Sequence, residues 1–210
     1  RGYDIYAPDG RAEQFKTKDM AVAGSVEDLV VNSDVVVDTL PEGMGIEHRP
    51  LYERHDTPAI FQGGEPAEVA SESFTARANY EDARGEEYVR IVSCNTTGLN
   101  RLFAPLLEEF GIDRTVVTLV RCRGEHAVIS ADPVKPPSHH GPDVLEVLPE
   151  IENIQTMGMK VPTVRHHMHS INVELESAPS EAAVREVLAN ESRIHVADGD
   201  GHHHAHGIVR

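Results

Sequence analysis

The sequence predicts an α/β parallel sheet in the first half of the chain, followed by an α+β domain on an antiparallel or mixed sheet. Two observations carry the first half: short β-branched runs, and helical stretches between them, together the mark of strands joined by crossover helices. The third is a change of character near Cys94, beyond which long strand-like runs are followed by helices. The boundary is therefore placed there, giving segments 1–93 and 94–210.

In chain order, "SVEDLVVNS" reads as a helix capped by Ser25, with Glu27 and Asp28 in the first turn, where carboxylates complement the positive helix end. "DVVVDTLP" is a continuous β-branched run, the pattern of a strand buried on both faces. "PAIFQGG" and "YVRIVSC" are two more such runs. Parallel sheets carry their chemistry at the carboxyl ends of the strands, and Asp38-Thr39-Leu40-Pro41, Gln62-Gly63-Gly64 and Ser93-Cys94-Asn95 occupy those ends. They suggest a nucleotide-type crevice, although no G-x-G-x-x-G occurs. A helix begins at Asn95, the N-cap candidate; Leu99, Leu102, Phe103, Leu106, Leu107 and Phe110 follow helical spacing, and Gly111 is the stop. "RTVVTLVRCR" and "TVRHHMHSINVELES" are long strands, and between them "SHHGPDVLEVLPEI" is a helix with Pro142 near its first turn. "SEAAVREVLAN" is a final helix capped by Ser180.

The length, 210 residues, suits one large domain or two small ones. The formal net charge is −16, and Lys16, Lys18, Lys135 and Lys160 are the only lysines, so the cations are mostly arginine. No basic patch points to nucleic acid, no apolar run is long enough to span a membrane, and no signal-peptide pattern opens the chain. Two cysteines cannot form a disulfide framework, and an intracellular, cytoplasmic protein is expected. A surface this acidic repels itself unless salt screens it, so a salt-rich cytosol is expected too. The chain opens without methionine and stops at "HHHAHGIVR", which reads as the start of a helix; an internal piece of a longer protein is the expectation.

Cys94 follows a strand and stands at the mouth of a helix, where free N–H groups and partial positive charge favour a thiolate and could hold an oxyanion. A buried, inert cysteine is the ordinary alternative. The small polar "SCNTTG" around Cys94 argues against it there; the apolar run around Cys122 argues for it at that position. A nucleophilic cysteine needs a base, and "RHHMHS" supplies three histidines. Strand alternation sets His167 and His169 on the face of Ile171, Val173 and Leu175, and His166 and Met168 on the other. H-x-H could instead grip zinc, but no further ligands at metal spacing accompany it. "SHHG", before a helix N-terminus, is a natural anion site.

The blocks "GYDIY", "PLYERHDTPAIFQGGE", "NYEDARGEEYVRIVSCNTTGLNR", "SHHGPDV" and "VPTVRHHMHSINVELES" resemble, in order and spacing, those of the archaeal, type II glyceraldehyde-3-phosphate dehydrogenases. The resemblance covers essentially the whole chain. It implies an NAD(P)-binding Rossmann domain, incomplete at its N-terminus, over 1–93, and part of the catalytic domain, incomplete at its C-terminus, over 94–210. It implies a homotetramer using NAD or NADP. Cys94 corresponds to the nucleophile and His167 to the base; Ser93, Asn95 and Thr96 flank the substrate, which His139, His140 and Gly141 contact. Gly64 matches a cofactor-contacting glycine. The family's cofactor-contacting arginine aligns with Cys122, so Arg121 or Arg123 takes its place or the contact is lost. The stretch before "SHHG" is several residues shorter than in the family. The implied reaction is reversible phosphorylating oxidation of glyceraldehyde 3-phosphate to 1,3-bisphosphoglycerate through a cysteine thioester, with inorganic phosphate as co-substrate, in glycolysis and gluconeogenesis. No metal is implied. The rivals are a related cysteine-dependent semialdehyde or acyl-phosphate dehydrogenase, and a non-catalytic metal-binding protein resting on "GHHHAHG".

Overall fold

The computed structural model describes residues 2–62, 64–122, 134–135, 137–161 and 167–197. They form two compact units, one drawn from 1–74 and 81–92, the other from 75–80 and 93–210.

The first unit runs β1 (Tyr6–Ala7), α1 (Ala12–Lys16), β2 (Gly24–Ser25), α2 (Val26–Val31), β3 (Val36–Asp38), α3 (Met44–Arg54), β4 (Ala59–Phe61), a 3₁₀ turn (Ala67–Val69), β5 (Glu72–Phe74), α4 (Tyr80–Ala83, its first residue grouped with the second unit) and β6 (Tyr88–Ile91). β1 and β2 pair in parallel, and the main sheet has the order β3-β4-β6-β5 with every pairing parallel. The alternation read from the sequence thus becomes the expected parallel sheet. Ser25 caps α2: its Oγ accepts the Asp28 N–H at 3.0 Å and Asp28 accepts the Ser25 N–H at 2.8 Å, a capping box. Val30, Tyr52, Ala59, Phe61, Val69 and Tyr88 form the core. Burial of β3 on both faces is not seen: Val37 is 54% exposed, because β3 is an edge strand of the sheet.

The second unit runs α5 (Cys94–Phe110), β7 (Ile112–Cys122), β8 (Val134–Lys135), α6 (His140–Leu145), β9 (Ile154–Val161), β10 (Met168–Leu175) and α7 (Glu181–Ala189). Its sheet has the order β10-β7-β9-β8; β7 is antiparallel to β10 and parallel to β9, and β8 is antiparallel to β9, so the sheet is mixed. Leu99, Phe103 and Leu106, one helical stripe, bury the inner face of α5, which packs on α6, α7, β7 and β10. Gly111, at φ +69°, ends the helix and gives its N–H to Leu107. Residues 75–80, which the sequence places before the boundary, are held by this unit: Asn100 donates to Thr75 Oγ1 at 3.0 Å, and Arg77 bridges Glu108 and Glu191. Among the described residues no helix is long and apolar enough to cross a membrane.

Candidate active site

The chain leaves β6 extended, and Ser93 keeps that extended conformation while α5 starts at Cys94. Ser93, not Asn95, is the N-cap: its Oγ accepts the Thr96 N–H at 3.2 Å and lies 3.0 Å from Thr96 Oγ1. A short hydroxyl one residue earlier caps the turn, which frees Asn95 to point inward. Cys94 is thereby the first helical residue, and its thiol is exposed. The first N–H groups of a helix have no intrahelical acceptor, so this end offers donors beside the sulfur. Asn95 is 1% exposed; its Nδ2 reaches Cys94 Sγ at 3.7 Å and its Oδ1 lies 2.9 Å from His169 Nε2. Thr96 is fully buried.

His140 opens α6 and is 1% exposed. Its Nδ1 lies 3.0 Å from Ser138 Oγ, which donates to Thr156 Oγ1 at 2.8 Å, while Thr156 donates to the Ser138 carbonyl at 3.0 Å. With both hydroxyl protons committed, Ser138 can only accept from His140, so Nδ1 carries the proton and Nε2 is a bare acceptor. That Nε2 is buried with no hydrogen-bond partner among the described residues. Burial first, then the positive charges of His139, Arg121, His169 and His167, hold the ring neutral, its pKa lowered to about 3. Gly141 gives its N–H to Thr156 Oγ1 at 3.2 Å, and an added Cβ would stand 3.1 Å from that oxygen. Ser138 and Gly141 therefore spend their donors on Thr156, and the expected anion site of "SHHG" is not built from them. His139 is exposed and stacks on His140 with ring centroids 4.0 Å apart.

His167 is largely open to solvent and directly precedes β10. Met168 pairs with Val120, so the next step of the register sets His167 opposite Arg121 on β7. Partial burial and then the Arg121 charge lower its pKa. His169 shares a strand face with Ile171, Val173 and Leu175, all half-buried, as alternation requires. Its pKa is lowered by burial and then by the charge of His167.

In the first unit, Asp38 does not end β3 as a free carboxylate: it accepts from Tyr52 Oη at 2.8 Å and from the Leu40 N–H at 2.9 Å. Gly64 has φ +85°, and an added Cβ there would meet nothing nearer than Glu42 Cβ at 4.0 Å. The next residue, Glu65, is 3% exposed and receives the N–H groups of Gly43, Gly45 and Ile46 at 2.9, 2.9 and 3.2 Å. Sequence reading missed Glu65 and Thr156, because nothing local marks a carboxylate or hydroxyl that will be buried against a distant segment. Gly63, Arg123, His166 and "GHHHAHG" lie outside the described residues. Among the described residues no three His, Cys, Asp or Glu side chains are grouped to hold a metal ion.

Residues 93–209 match the family model described as the glyceraldehyde 3-phosphate dehydrogenase, C-terminal domain. The chain belongs to the glyceraldehyde-3-phosphate dehydrogenase family. It is 55% identical over 202 residues to a glyceraldehyde-3-phosphate dehydrogenase of Haloarcula marismortui, covering 92% of this chain and 56% of that relative. A relative of the same name from Halobacterium salinarum is 53% identical over 209 residues, covering 95% of this chain and 62% of the relative. One from Methanopyrus kandleri is 45% identical over 215 residues, covering 95% and 61%. The chain thus spans 56% to 62% of the length of these three relatives. Its fold is similar to that of an aspartate semialdehyde dehydrogenase from Vibrio cholerae, with a TM-score of 0.69 at 12% identity over 91% of this chain and 76% of that one. That likeness is one of fold alone, and a fold does not select a substrate.

Proposed function

We propose that the protein oxidises glyceraldehyde 3-phosphate, with inorganic phosphate and NAD or NADP, to 1,3-bisphosphoglycerate through a thioester on Cys94. The observation that carries this is an exposed thiol at the first residue of α5 with the Asn95 amide on its sulfur, inside the segment that matches the family. The Cys94 thiolate adds to the aldehyde carbon and the carbonyl oxygen takes a proton from water, giving a thiohemiacetal; the N–H groups at the start of α5 stabilise the negative charge that develops on that oxygen during addition. His167, kept neutral by partial burial and by Arg121, takes the hydroxyl proton. Oxidation at that carbon leaves an acyl thioester; phosphate then attacks it, releasing the acyl phosphate and restoring the thiolate. Arg121, whose charge acts on both His140 and His167, brings positive charge suited to a phosphorylated substrate.

A nicotinamide cofactor supplies the hydride acceptor for this chemistry. The first unit fits one: Gly64 presents open, left-handed backbone after a parallel strand, where a dinucleotide approaches closely. On the same reading the assembly is a homotetramer in the cytoplasm. The test is Cys94→Ser in the complete protein, assayed with phosphorylated and carboxylated aldehydes. Loss of glyceraldehyde 3-phosphate oxidation to below about a hundredth of wild type is expected, with the fold intact. Retained turnover removes Cys94 from the role, and preference for a carboxylated semialdehyde overturns the substrate.

A further inference from the structure

We infer that His169 is a positioning residue for the nucleophile, orienting the Asn95 amide so that its N–H₂ donates to Cys94 Sγ. This rests on the reading of Cys94 as the nucleophile; the alkylation experiment below does not use the aldehyde and so fails separately from it.

The geometry is a chain of three groups from two elements. Asn95 and Cys94 begin α5, and His169 lies on β10. Asn95 Oδ1 is an acceptor, so the His169 Nε2 at 2.9 Å must carry a hydrogen and donate to it. That bond fixes which end of the amide is which. With the oxygen held by His169, the nitrogen is left facing Sγ at 3.7 Å. Reversed, the amide would set a nitrogen against the His169 donor and an oxygen lone pair against the sulfur, which penalises a thiolate. A carboxamide has two donors and no charge, so it stabilises a thiolate over a thiol without forming an ion pair.

The site is built to hold this arrangement. Asn95 is 1% exposed, so water does not compete for its oxygen. Burial first, and then His167 whenever that ring is protonated, lower the pKa of His169 and so favour its neutral form. The ring lies over Gly98, one turn along α5 from Cys94, where an added Cβ would meet Cε1 at 3.6 Å, and a longer side chain would displace it. His167 and His169 thus divide the work: the exposed ring faces the reaction, and the half-buried one holds the residue beside the sulfur.

The experiment measures alkylation of Cys94 by iodoacetamide in the intact protein, from about pH 6 to about pH 10, the range over which a free thiol ionises. His169→Phe keeps the ring and removes the donor. It is expected to alkylate about fivefold more slowly than wild type at pH 7, with the difference narrowing towards pH 10. His169→Gln, which can donate to the same oxygen, is expected to restore most of the pH 7 rate. Asn95→Leu removes the amide itself, so it carries the same expectation if His169→Phe does not fold. The double variant is expected to be no slower than Asn95→Leu. Wild-type alkylation at pH 7 in His169→Phe or in Asn95→Leu overturns the proposal, as does an equal slowing at every pH, which would mark a change in access rather than in donation. Turnover by Cys94→Ser would overturn only the nucleophile reading.

Discussion

At the scale of single residues, the histidines near Cys94 differ by surroundings rather than by chemistry. His140 is sealed and polarised through Ser138 and Thr156, His169 is tied to Asn95, and His167 stands at the surface opposite Arg121. Only the last is open enough to exchange a proton with a bound molecule. His167→Asn is therefore expected to lower kcat by about 10²–10⁴-fold, the worth of a general base. Partial burial, and then the charge of Arg121, disfavour protonated His167, so the acid limb of the kcat/KM profile should fall below the ordinary histidine value of 6.5. Arg121→Gln removes that charge, and the limb should move to higher pH. A limb that stays in place, or moves down, would mean that another group sets it.

At the scale of elements, two helix starts show how a cap can serve as a fastening. Ser93 closes α5 locally, within three residues. α3 is closed from afar by Glu65, whose carboxylate accepts three N–H groups and so ties the Gly64 loop to the start of α3. Three charge-assisted bonds in a buried place make Glu65→Ala cost about 3 kcal/mol, read by urea unfolding. Gly45→Ala sets two effects against each other. Alanine gains about 1 kcal/mol of helix propensity. Its Cβ, however, would stand 3.0 Å from Glu65 Cγ, Glu65 Cδ and Phe61 Cδ1. Overpacking of that kind costs about 1–3 kcal/mol, so net destabilisation is expected. A stabilised Gly45→Ala variant would show that Glu65 can retreat freely.

At the scale of the molecule, charge decides the conditions of folding. A net charge of −16 works against the compact state, and screening relieves it. The melting temperature is expected to rise steadily from about 0.1 M to about 3 M KCl, across which the screening length shrinks several-fold; an unchanged value would sink the salt-dependence. Acid acts through the buried ring. Folded His140 has a pKa lowered to about 3 from an ordinary 6.5, so its unfolded form binds a proton first. Its contribution is complete above pH 6.5 and is lost as pH falls towards 3. The fall in unfolding free energy should thus start at about half of 1.4 kcal/mol per pH unit near 6.5 and approach about 1.4 kcal/mol per unit about one unit lower, where the unfolded ring is mostly protonated. His140→Gln should flatten the slope measured between about pH 6.5 and about pH 5, above the ordinary carboxylate range. His167 and His169, also lowered, add to it with the same sign.

Periodicity and caps are local, and there the sequence was sufficient. Ser25 and Ser180 cap their helices, Leu99, Phe103 and Leu106 face inward, Gly111 stops α5, and the alternating first half becomes a parallel sheet. Strand alternation by itself likewise places His169 on the half-buried face. What tertiary structure alone decided is which polar groups are already committed. Asp38, at a polar strand end, is held by Tyr52, and Ser138 and Gly141 of the "SHHG" block, a natural anion site by sequence, are held by Thr156. Asn95 looked like a cap and instead reaches a histidine 74 positions away. A hydrogen-bonding group can be satisfied by any partner that the fold brings within about 3 Å, and proximity in sequence says nothing of that. Backbone preferences depend on the residue and its neighbours; the availability of a side chain for chemistry depends on everything packed around it.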